Sequence, residues 1–155
     1  MLNEGVTAPD FALPDETGQT FKLSAYKGSV VVVYFYPKDD TPGCTTEAKN
    51  FSALADAFKA AGSVVIGISP DSSQSHHKFK AKHGLAVTLI ADQDRAAATA
   101  YGVWVEKSMY GKTYMGVERS TFLVGAAGKI SKIWRKVKVP GHADDVLAAV
   151  KALKG

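Results

Sequence analysis

The fold of this chain is decided by residues 34–48, which read YFYPKDDTPGCTTEA. The apolar run that ends at Tyr36 begins at Val30 and has no polar residue to alternate with, which predicts a strand covered on both faces of an α/β sheet. Thr41 followed by Pro42 is typical of a helix N-cap and a first helical position, because the N–H that proline lacks would be unpaired there in any case. This stretch therefore predicts a buried strand, a loop and a helix start, in that order.

The helix after this loop is predicted to run from about Cys44 to Ala61 and to end at Gly62. Between Phe51 and Phe58 its apolar residues recur at i, i+3, i+4 and i+7, which is one face of a helix. A second apolar run at residues 64–69 follows and predicts another buried strand. Strand, helix and strand together predict a right-handed βαβ crossover.

The remaining segments continue an alternation of strands and helices. They predict an early hairpin at 9–13 and 20–23, a helix at 72–83, a strand at 87–90, a helix at 95–101, a late hairpin at 120–124 and 130–137, and a closing helix at 143–153. Residues 103–117 show no clear pattern, so we expect irregular structure there. This order favours one domain over residues 1–155, an α/β three-layer sandwich of the thioredoxin-like kind with an N-terminal β-hairpin.

Composition agrees with one soluble globular domain. The chain has 155 residues, of which 46% are hydrophobic and 22% charged, and carries a formal net charge of +4. We expect a cytoplasmic protein, because there is no basic and then apolar leader and no run of about eighteen apolar residues. Lysines and an arginine cluster at 129–138, but without a recognised nucleic-acid module they favour a solvated edge strand.

Cys44 is the only cysteine of the chain, and it falls in the first turn of the predicted helix. Unpaired N–H groups and the positive dipole end stabilise an anion there, so a thiol ionises more readily than a free one, and only the thiolate is a good nucleophile. The alternative is that a lone cysteine is a small buried hydrophobe. The loop before it, at the carboxyl edge of a central strand, favours the reactive interpretation.

These residues resemble a known family. Pro37-x-x-x-Thr41-x-x-Cys44 is similar to the active-site motif of the peroxiredoxins, and residues 36–48, YPKDDTPGCTTEA, resemble the subgroup called peroxiredoxin Q or bacterioferritin comigratory protein. Residues 118–124, ERSTFLV, match the segment that supplies that family's active-site arginine. The resemblance covers nearly the whole chain. It implies a thioredoxin-like peroxiredoxin fold and a thiol-dependent peroxidase that uses no cofactor.

The resemblance also implies roles for particular residues. Cys44 would be the nucleophile, Thr41 would hydrogen-bond the peroxide and the thiolate, and Pro37 would shield the sulfur. Arg119 would bind the thiolate and the peroxide oxygen. In supporting roles, Glu47 would orient Arg119 and the Gly43 N–H would face the peroxide. Two alternatives stay open on the residues alone. Thr41 serves as an N-cap, with or without the catalytic role, and an arginine that opens a strand is commonly a surface residue.

Position 49 departs from the subgroup pattern. Many members carry a second, resolving cysteine five residues after the first, whereas this chain has Lys49 and no other cysteine. We therefore expect a one-cysteine cycle in which peroxide converts Cys44 to a sulfenic acid and an external thiol, such as thioredoxin or glutaredoxin with glutathione, resolves it. The substrate would be hydrogen peroxide or an alkyl hydroperoxide, and the subgroup resemblance favours a monomer.

Two further groups of residues bear on binding. Trp104, Met109 and Tyr110 are predicted to wall a pocket for alkyl hydroperoxides, with a core position as the alternative. The four histidines lack metal-ligand spacing, so we expect no metal site and place them at the surface or at helix ends.

Two other functions compete with the peroxidase. In a peroxide sensor or holdase, oxidation of Cys44 would switch a partner interaction without turnover. A thioredoxin-like disulfide oxidoreductase is disfavoured, because the chain has no Cys-x-x-Cys.

Overall fold

The computed structural model describes residues 2–154. The strands are β1 (Ala12–Pro14), β2 (Thr20–Lys22), β3 (Val30–Phe35), β4 (Ser63–Ser69), β5 (Thr88–Ala91), β6 (Trp104–Met109), β7 (Lys112–Val117), β8 (Ser120–Val124) and β9 (Ile130–Trp134). The helices are α1 (Pro42–Ala53), α2 (Ala55–Ala60), α3 (Ser73–His83), α4 (Ala96–Ala100) and α5 (His142–Lys154).

A five-stranded mixed sheet in the order β5-β4-β3-β8-β9 forms the middle layer. β3 is central, parallel to β4 and antiparallel to β8, and all six of its residues are buried. This confirms the covered strand and the βαβ crossover that the apolar runs predict. Because Phe35 pairs with Ser120, the residue just before β8 comes beside the loop that follows β3.

Alternate residues of β3 supply two hydrophobic cores. Val32 and Tyr34 face a core shared with α1, α2, α3 and α5, whereas Val31 and Val33 face the core of α4 and the β1-β2 hairpin. The thioredoxin-like α/β arrangement with a central sheet between helical layers and an N-terminal hairpin is therefore confirmed. None of the helices within residues 2–154 is both long enough and apolar enough to cross a membrane.

Two local expectations are wrong. The helix predicted from Cys44 to Ala61 breaks at Leu54, whose N–H bonds to the Phe51 carbonyl three residues back and tightens the last turn of α1. The break lets Phe58 of α2 pack beside Phe51, with ring centroids 5.9 Å apart.

Residues 103–117, expected to be irregular, form the antiparallel β6-β7 hairpin. Its two-residue turn is Tyr110-Gly111, both at positive φ (52° and 77°), which is the type I′ geometry that suits a twisted hairpin. The alternation of β-forming residues around a Tyr-Gly pair was the signal for it, although tyrosine is an unusual residue for the first turn position.

Candidate active site

Cys44 lies in the first turn of α1, directly beyond the carboxyl end of β3, as the sequence predicts. Pro42 occupies the first helical position and Thr41 the N-cap. Cys44 is only 2% exposed, and it borders the core on the helical side of the sheet. The sulfur is therefore nearly covered by the surrounding protein.

Arg119 is brought to this helix start by the pairing of β8 with β3. Its Nη2 atom donates to Cys44 Sγ at 3.4 Å, and its Nη1 atom donates to Glu47 Oε1 at 2.7 Å. Arg119 is half-buried, so its charge acts in surroundings less polar than water. The side chain is thus placed beside the sulfur, and the surface alternative for Arg119 does not apply.

Gly43 leaves the space that this contact requires. A Cβ atom added at Gly43 would lie 3.2 Å from Arg119 Nη2, tighter than an ordinary van der Waals contact. The glycine therefore lets the guanidinium reach across the helix start toward Cys44. Space for Arg119 is a role for Gly43 that the sequence interpretation did not include.

Glu47 lies one turn after Cys44 and is 2% exposed. Burial raises the pKa of Glu47 to about 7, although the charge of Arg119 opposes the shift. Its second oxygen, Oε2, is buried and has no hydrogen-bond partner among residues 2–154. The same is true of the Tyr34 hydroxyl, whose pKa is raised well above its usual value by burial and next by the negative charge of Glu47.

The Thr41 hydroxyl has a different partner from the one expected. It donates to the Lys38 carbonyl oxygen at 2.8 Å and makes no N-cap bond to α1. With its hydrogen committed to Lys38, Thr41 Oγ1 retains lone pairs that can accept a further hydrogen bond. Pro37 is half-buried at the start of the same loop.

Asp39, between Pro37 and Thr41, anchors the loop to the body of the fold. Its carboxylate accepts from the Tyr36 hydroxyl at 2.6 Å and from Ser75 Oγ at 2.7 Å, and its Oδ2 lies 2.8 Å from His76 Nδ1. Its backbone N–H donates to Asp71 Oδ2 at 2.8 Å. The loop is therefore fixed to α3 and to the residues that follow β4.

His76 is fully buried, so the expectation of surface or helix-end histidines is wrong for it. Its Nε2 lies 2.9 Å from the Ile90 carbonyl oxygen and its Nδ1 faces the Asp39 carboxylate, so each ring nitrogen faces an acceptor. Ligand-type atoms of Asp39, Asp71 and His76 lie within 4.8 Å of one another, but they are engaged in these hydrogen bonds. Sequence spacing gave no signal for this network.

The far end of α3 holds the next loop residue. Asp40 has a positive φ of 58° and accepts from Lys82 Nζ at 2.6 Å, and its other oxygen lies 2.8 Å from His83 Nε2. Hydrogen bonds from His83 and then Lys82 lower the pKa of Asp40. Asp39 and Asp40 thus tie the loop to both ends of one helix.

The three residues predicted to wall a pocket lie along the β6-β7 hairpin. Trp104 is half-buried at the start of β6 beneath Arg95, Met109 is exposed at its end, and Tyr110 is 96% exposed in the turn. A strand of this length spans roughly 20 Å, so Trp104 and Tyr110 are not brought together. Lys107, between them, does lie in the field of the site, because burial and then the charge of Arg119 lower its pKa.

Comparison with known protein families gives a match over most of the chain. Residues 5–133 match the AhpC/TSA family. The chain is 50% identical to peroxiredoxin Bcp of Bacillus subtilis over 147 residues, which are 95% of this chain and 94% of that protein. It is 51% identical to peroxiredoxin Bcp of Xanthomonas campestris over 143 residues, 92% of this chain and 89% of that protein.

Solved structures agree with these relatives. The Xanthomonas campestris bacterioferritin comigratory protein, studied for alkyl peroxide reduction in trapped intermediate and ligand complexes, superposes with a TM-score of 0.93 at 46% identity, covering 99% of this chain and 100% of that one. Peroxidoxin BcpB of Mycobacterium tuberculosis superposes with a TM-score of 0.88 at 33% identity, with all of both chains covered.

Proposed function

The chain belongs to the AhpC/TSA family as a thiol-dependent peroxidase of the peroxiredoxin Bcp kind, and on that basis we propose that Cys44, Thr41, Pro37 and Arg119 form its catalytic site. The observation that carries this assignment is the contact of Arg119 Nη2 with Cys44 Sγ at 3.4 Å. A guanidinium beside a sulfur at a helix start favours the thiolate, which is the form that attacks peroxide.

In the first step the Cys44 thiolate attacks one oxygen of the hydroperoxide. The S–O bond forms as the O–O bond breaks, so sulfur is oxidised to a sulfenic acid and the peroxide is reduced to an alcohol or water once the leaving oxygen takes a proton. Arg119 and the Gly43 N–H stabilise the charge that develops on oxygen. Thr41 Oγ1 accepts from the peroxide proton, and Pro37 shields the sulfur without adding a donor.

The second step needs a thiol from outside the chain, because Cys44 is the only cysteine and Lys49 stands where a resolving cysteine would be. The external thiol attacks the sulfenic sulfur, a mixed disulfide forms and water leaves, and a second thiol then releases Cys44. We propose a dithiol protein such as thioredoxin, or glutaredoxin with glutathione, as the reductant. Supplying each in turn and recording peroxide consumption identifies it.

The central experiment compares the wild type with Cys44→Ser and Arg119→Ala in a peroxide-consumption assay with dithiothreitol as reductant. We expect no turnover for Cys44→Ser and a loss of about 100-fold or more for Arg119→Ala, since the variant lacks both the thiolate partner and an oxyanion donor. Turnover by Cys44→Ser would exclude the assigned nucleophile. Oxidation of Cys44 without turnover under every thiol would instead favour the sensor or holdase, which the relatives do not favour.

We also propose that the protein is a cytoplasmic monomer. A free reactive thiol that depends on an external thiol reductant suits a reducing compartment. Light scattering during size-exclusion chromatography tests the monomer, and cell fractionation tests the compartment.

A further inference from the structure

One cation lies between two groups that can each become anionic. Arg119 donates from Nη1 to Glu47 Oε1 at 2.7 Å and from Nη2 to Cys44 Sγ at 3.4 Å. Cys44 and Glu47 are each 2% exposed and lie one turn apart on α1. The guanidinium is thus shared between the nucleophile and a carboxyl group on the same helix face.

A single positive charge cannot balance a thiolate and a carboxylate in this setting. Like charges oppose each other's ionisation, and burial strengthens that effect because water does not screen it. The arrangement with one proton on the pair and one net negative charge opposite Arg119 is electrically balanced.

The environment of Glu47 shows which group is suited to hold that proton. Only Oε1 is held by Arg119, while Oε2 is buried without a partner among residues 2–154. A buried carboxyl group that is protonated carries no charge and so needs no cation to balance it. Burial accordingly raises the pKa of Glu47 to about 7.

The neighbouring titratable groups do not supply a second cation to Glu47. Tyr34 of β3 faces it with an uncharged hydroxyl. The basic groups near Arg119 are Lys107 on β6 and His142 on α5, and burial and then the positive charge of Arg119 lower the pKa of each. Burial, before any charge effect, lowers the pKa of His142 to about 4, so it is neutral at physiological pH.

We propose that Glu47 holds the proton that Cys44 gives up and releases it when the thiolate is oxidised. The balanced step is Cys44 thiolate plus ROOH plus the protonated Glu47 carboxyl giving Cys44 sulfenic acid, ROH and the Glu47 carboxylate. Sulfur is oxidised, the O–O bond is reduced, and the Glu47 proton matches the one that the leaving oxygen gains. Glu47 is then a positioning residue that also sets the proton balance. This inference rests on the proposed function of Cys44.

The first test measures thiolate formation as the rate of iodoacetamide alkylation across pH in the wild type, Glu47→Gln and Glu118→Gln. Glutamine can still accept from Arg119 through its amide oxygen but carries no negative charge. We expect Glu47→Gln to be alkylated at the wild-type rate near pH 6, because a protonated Glu47 adds no anion beside the thiolate. Faster alkylation of Glu47→Gln would show that an ionised Glu47 opposes the thiolate, and it would contradict the proposal. Slower alkylation would show that Glu47 favours the thiolate through the position of Arg119 and not through its proton, which also contradicts the proposal. Glu118→Gln, the half-buried neighbour of Arg119 in sequence, should match the wild type.

The second test counts protons during one oxidation by hydrogen peroxide without a thiol, in weak buffer with an indicator dye. It is run at about pH 7.5, where a Glu47 with a pKa of about 7 ionises once the thiolate beside it is gone, and where alkylation shows that the thiol of each protein is ionised. The wild type and Glu118→Gln should take up almost no proton from solvent for each Cys44 oxidised, and Glu47→Gln should take up close to one. Equal uptake by the wild type and Glu47→Gln, whether near zero or near one proton, would overturn the proposal.

A third measurement needs no variant. The infrared difference spectrum of the wild type should lose a protonated-carboxyl band when Cys44 is oxidised, and a spectrum without that loss contradicts the proposal. In all three tests the wild type must first consume peroxide. If it does not, the peroxidase assignment fails, whereas normal consumption with the wrong proton count removes only the role given to Glu47.

Discussion

His76 Nδ1 lies 2.8 Å from Asp39 Oδ2, and this contact joins the first turn of α3 to the loop that leads into the nucleophile's helix. Both side chains are closed off from solvent. Asp39 also receives the Tyr36 and Ser75 hydroxyls, so the loop between Pro37 and Thr41 is held from three directions. The position of Thr41 and of the α1 start thus depends on residues far from Cys44 in the chain.

Removing the buried imidazole should harm stability and activity together. We expect His76→Ala to lose about 3 kcal/mol of unfolding free energy, and so roughly 6–12 °C in Tm, because the Asp39 carboxylate is left buried without its partner. The rate of peroxide reduction should fall as the loop relaxes. The matched control is His77→Ala, since His77 is the adjacent but exposed histidine of α3. Equal melting temperatures for the two variants would show that the Asp39 contact does not hold the loop.

Gly43→Ala should lower activity without lowering stability, unlike His76→Ala, which should lower both. The added methyl group would meet Arg119 Nη2 at 3.2 Å, so the guanidinium has to move away from Cys44. We expect the rate constant with hydrogen peroxide to fall about tenfold, because small misplacements of a catalytic group are costly. The Tm should not fall, since alanine favours a helix more than glycine does. Thr46→Ala, at an exposed position of the same helix, is the control, and an unchanged rate in Gly43→Ala would mean that Arg119 has room to spare.

Local patterns were enough to predict the core of this fold. The unbroken apolar run at 30–36 identifies the central strand, and the Thr-Pro-Gly-Cys turn places Cys44 at the start of α1. The family resemblance was needed to bring Arg119 to that helix start, because 75 residues separate it from Cys44 and no local pattern encodes the β3-β8 pairing. The Asp39-His76 contact escaped prediction for the same reason, since it depends on how α3 packs against the loop.

The break at Leu54 and the β6-β7 hairpin show a second limit. No glycine or proline marks Leu54, so tertiary packing of Phe58 overrides a continuous helical pattern there. In the hairpin, lysines, glycines and a tyrosine in the turn obscure the alternation that defines two short strands.

The exposed apolar side chains of that hairpin give a test of substrate preference. Met109 is 55% exposed and Tyr110 96% exposed, and Lys107 on the same strand feels the charge of Arg119. We expect Met109→Ala and Tyr110→Ala to slow reduction of cumene hydroperoxide about threefold while hydrogen peroxide is unaffected, because only a bulky substrate gains from apolar contact. Leu153→Ala, an exposed apolar residue on α5, is the control. Equal losses on both peroxides would show that these two side chains give the bulky substrate no apolar contact.

Two buried groups pull the pH dependence of stability in opposite directions. Burial lowers the pKa of His142 to about 4, whereas a histidine in the unfolded chain has a pKa of about 6.5. Between these two pH values the unfolded chain binds more protons than the folded chain. The free energy of unfolding therefore rises with pH in this range. Burial raises the pKa of Glu47 from its ordinary value of 4.5 to about 7. Between these two pH values the folded chain binds more protons than the unfolded chain, so the free energy of unfolding falls as pH rises. Over the shared window these two contributions nearly cancel in the wild type.

Glu47→Gln removes the Glu47 contribution to the pH dependence of the unfolding free energy, so the opposing contribution of His142 should become visible. Its unfolding free energy should rise relative to the wild type by about 1 kcal/mol for each pH unit between about pH 5 and about pH 6.5, close to the slope for one proton, because His142 is present in both proteins and cancels from the difference. Urea unfolding of both proteins at the two pH values measures this difference, with Glu118→Gln expected to follow the wild type. Parallel curves for the wild type and Glu47→Gln would mean that Glu47 is ionised in the folded protein throughout this range. In that case the carboxylate and the Cys44 thiolate would share Arg119 with no proton between them.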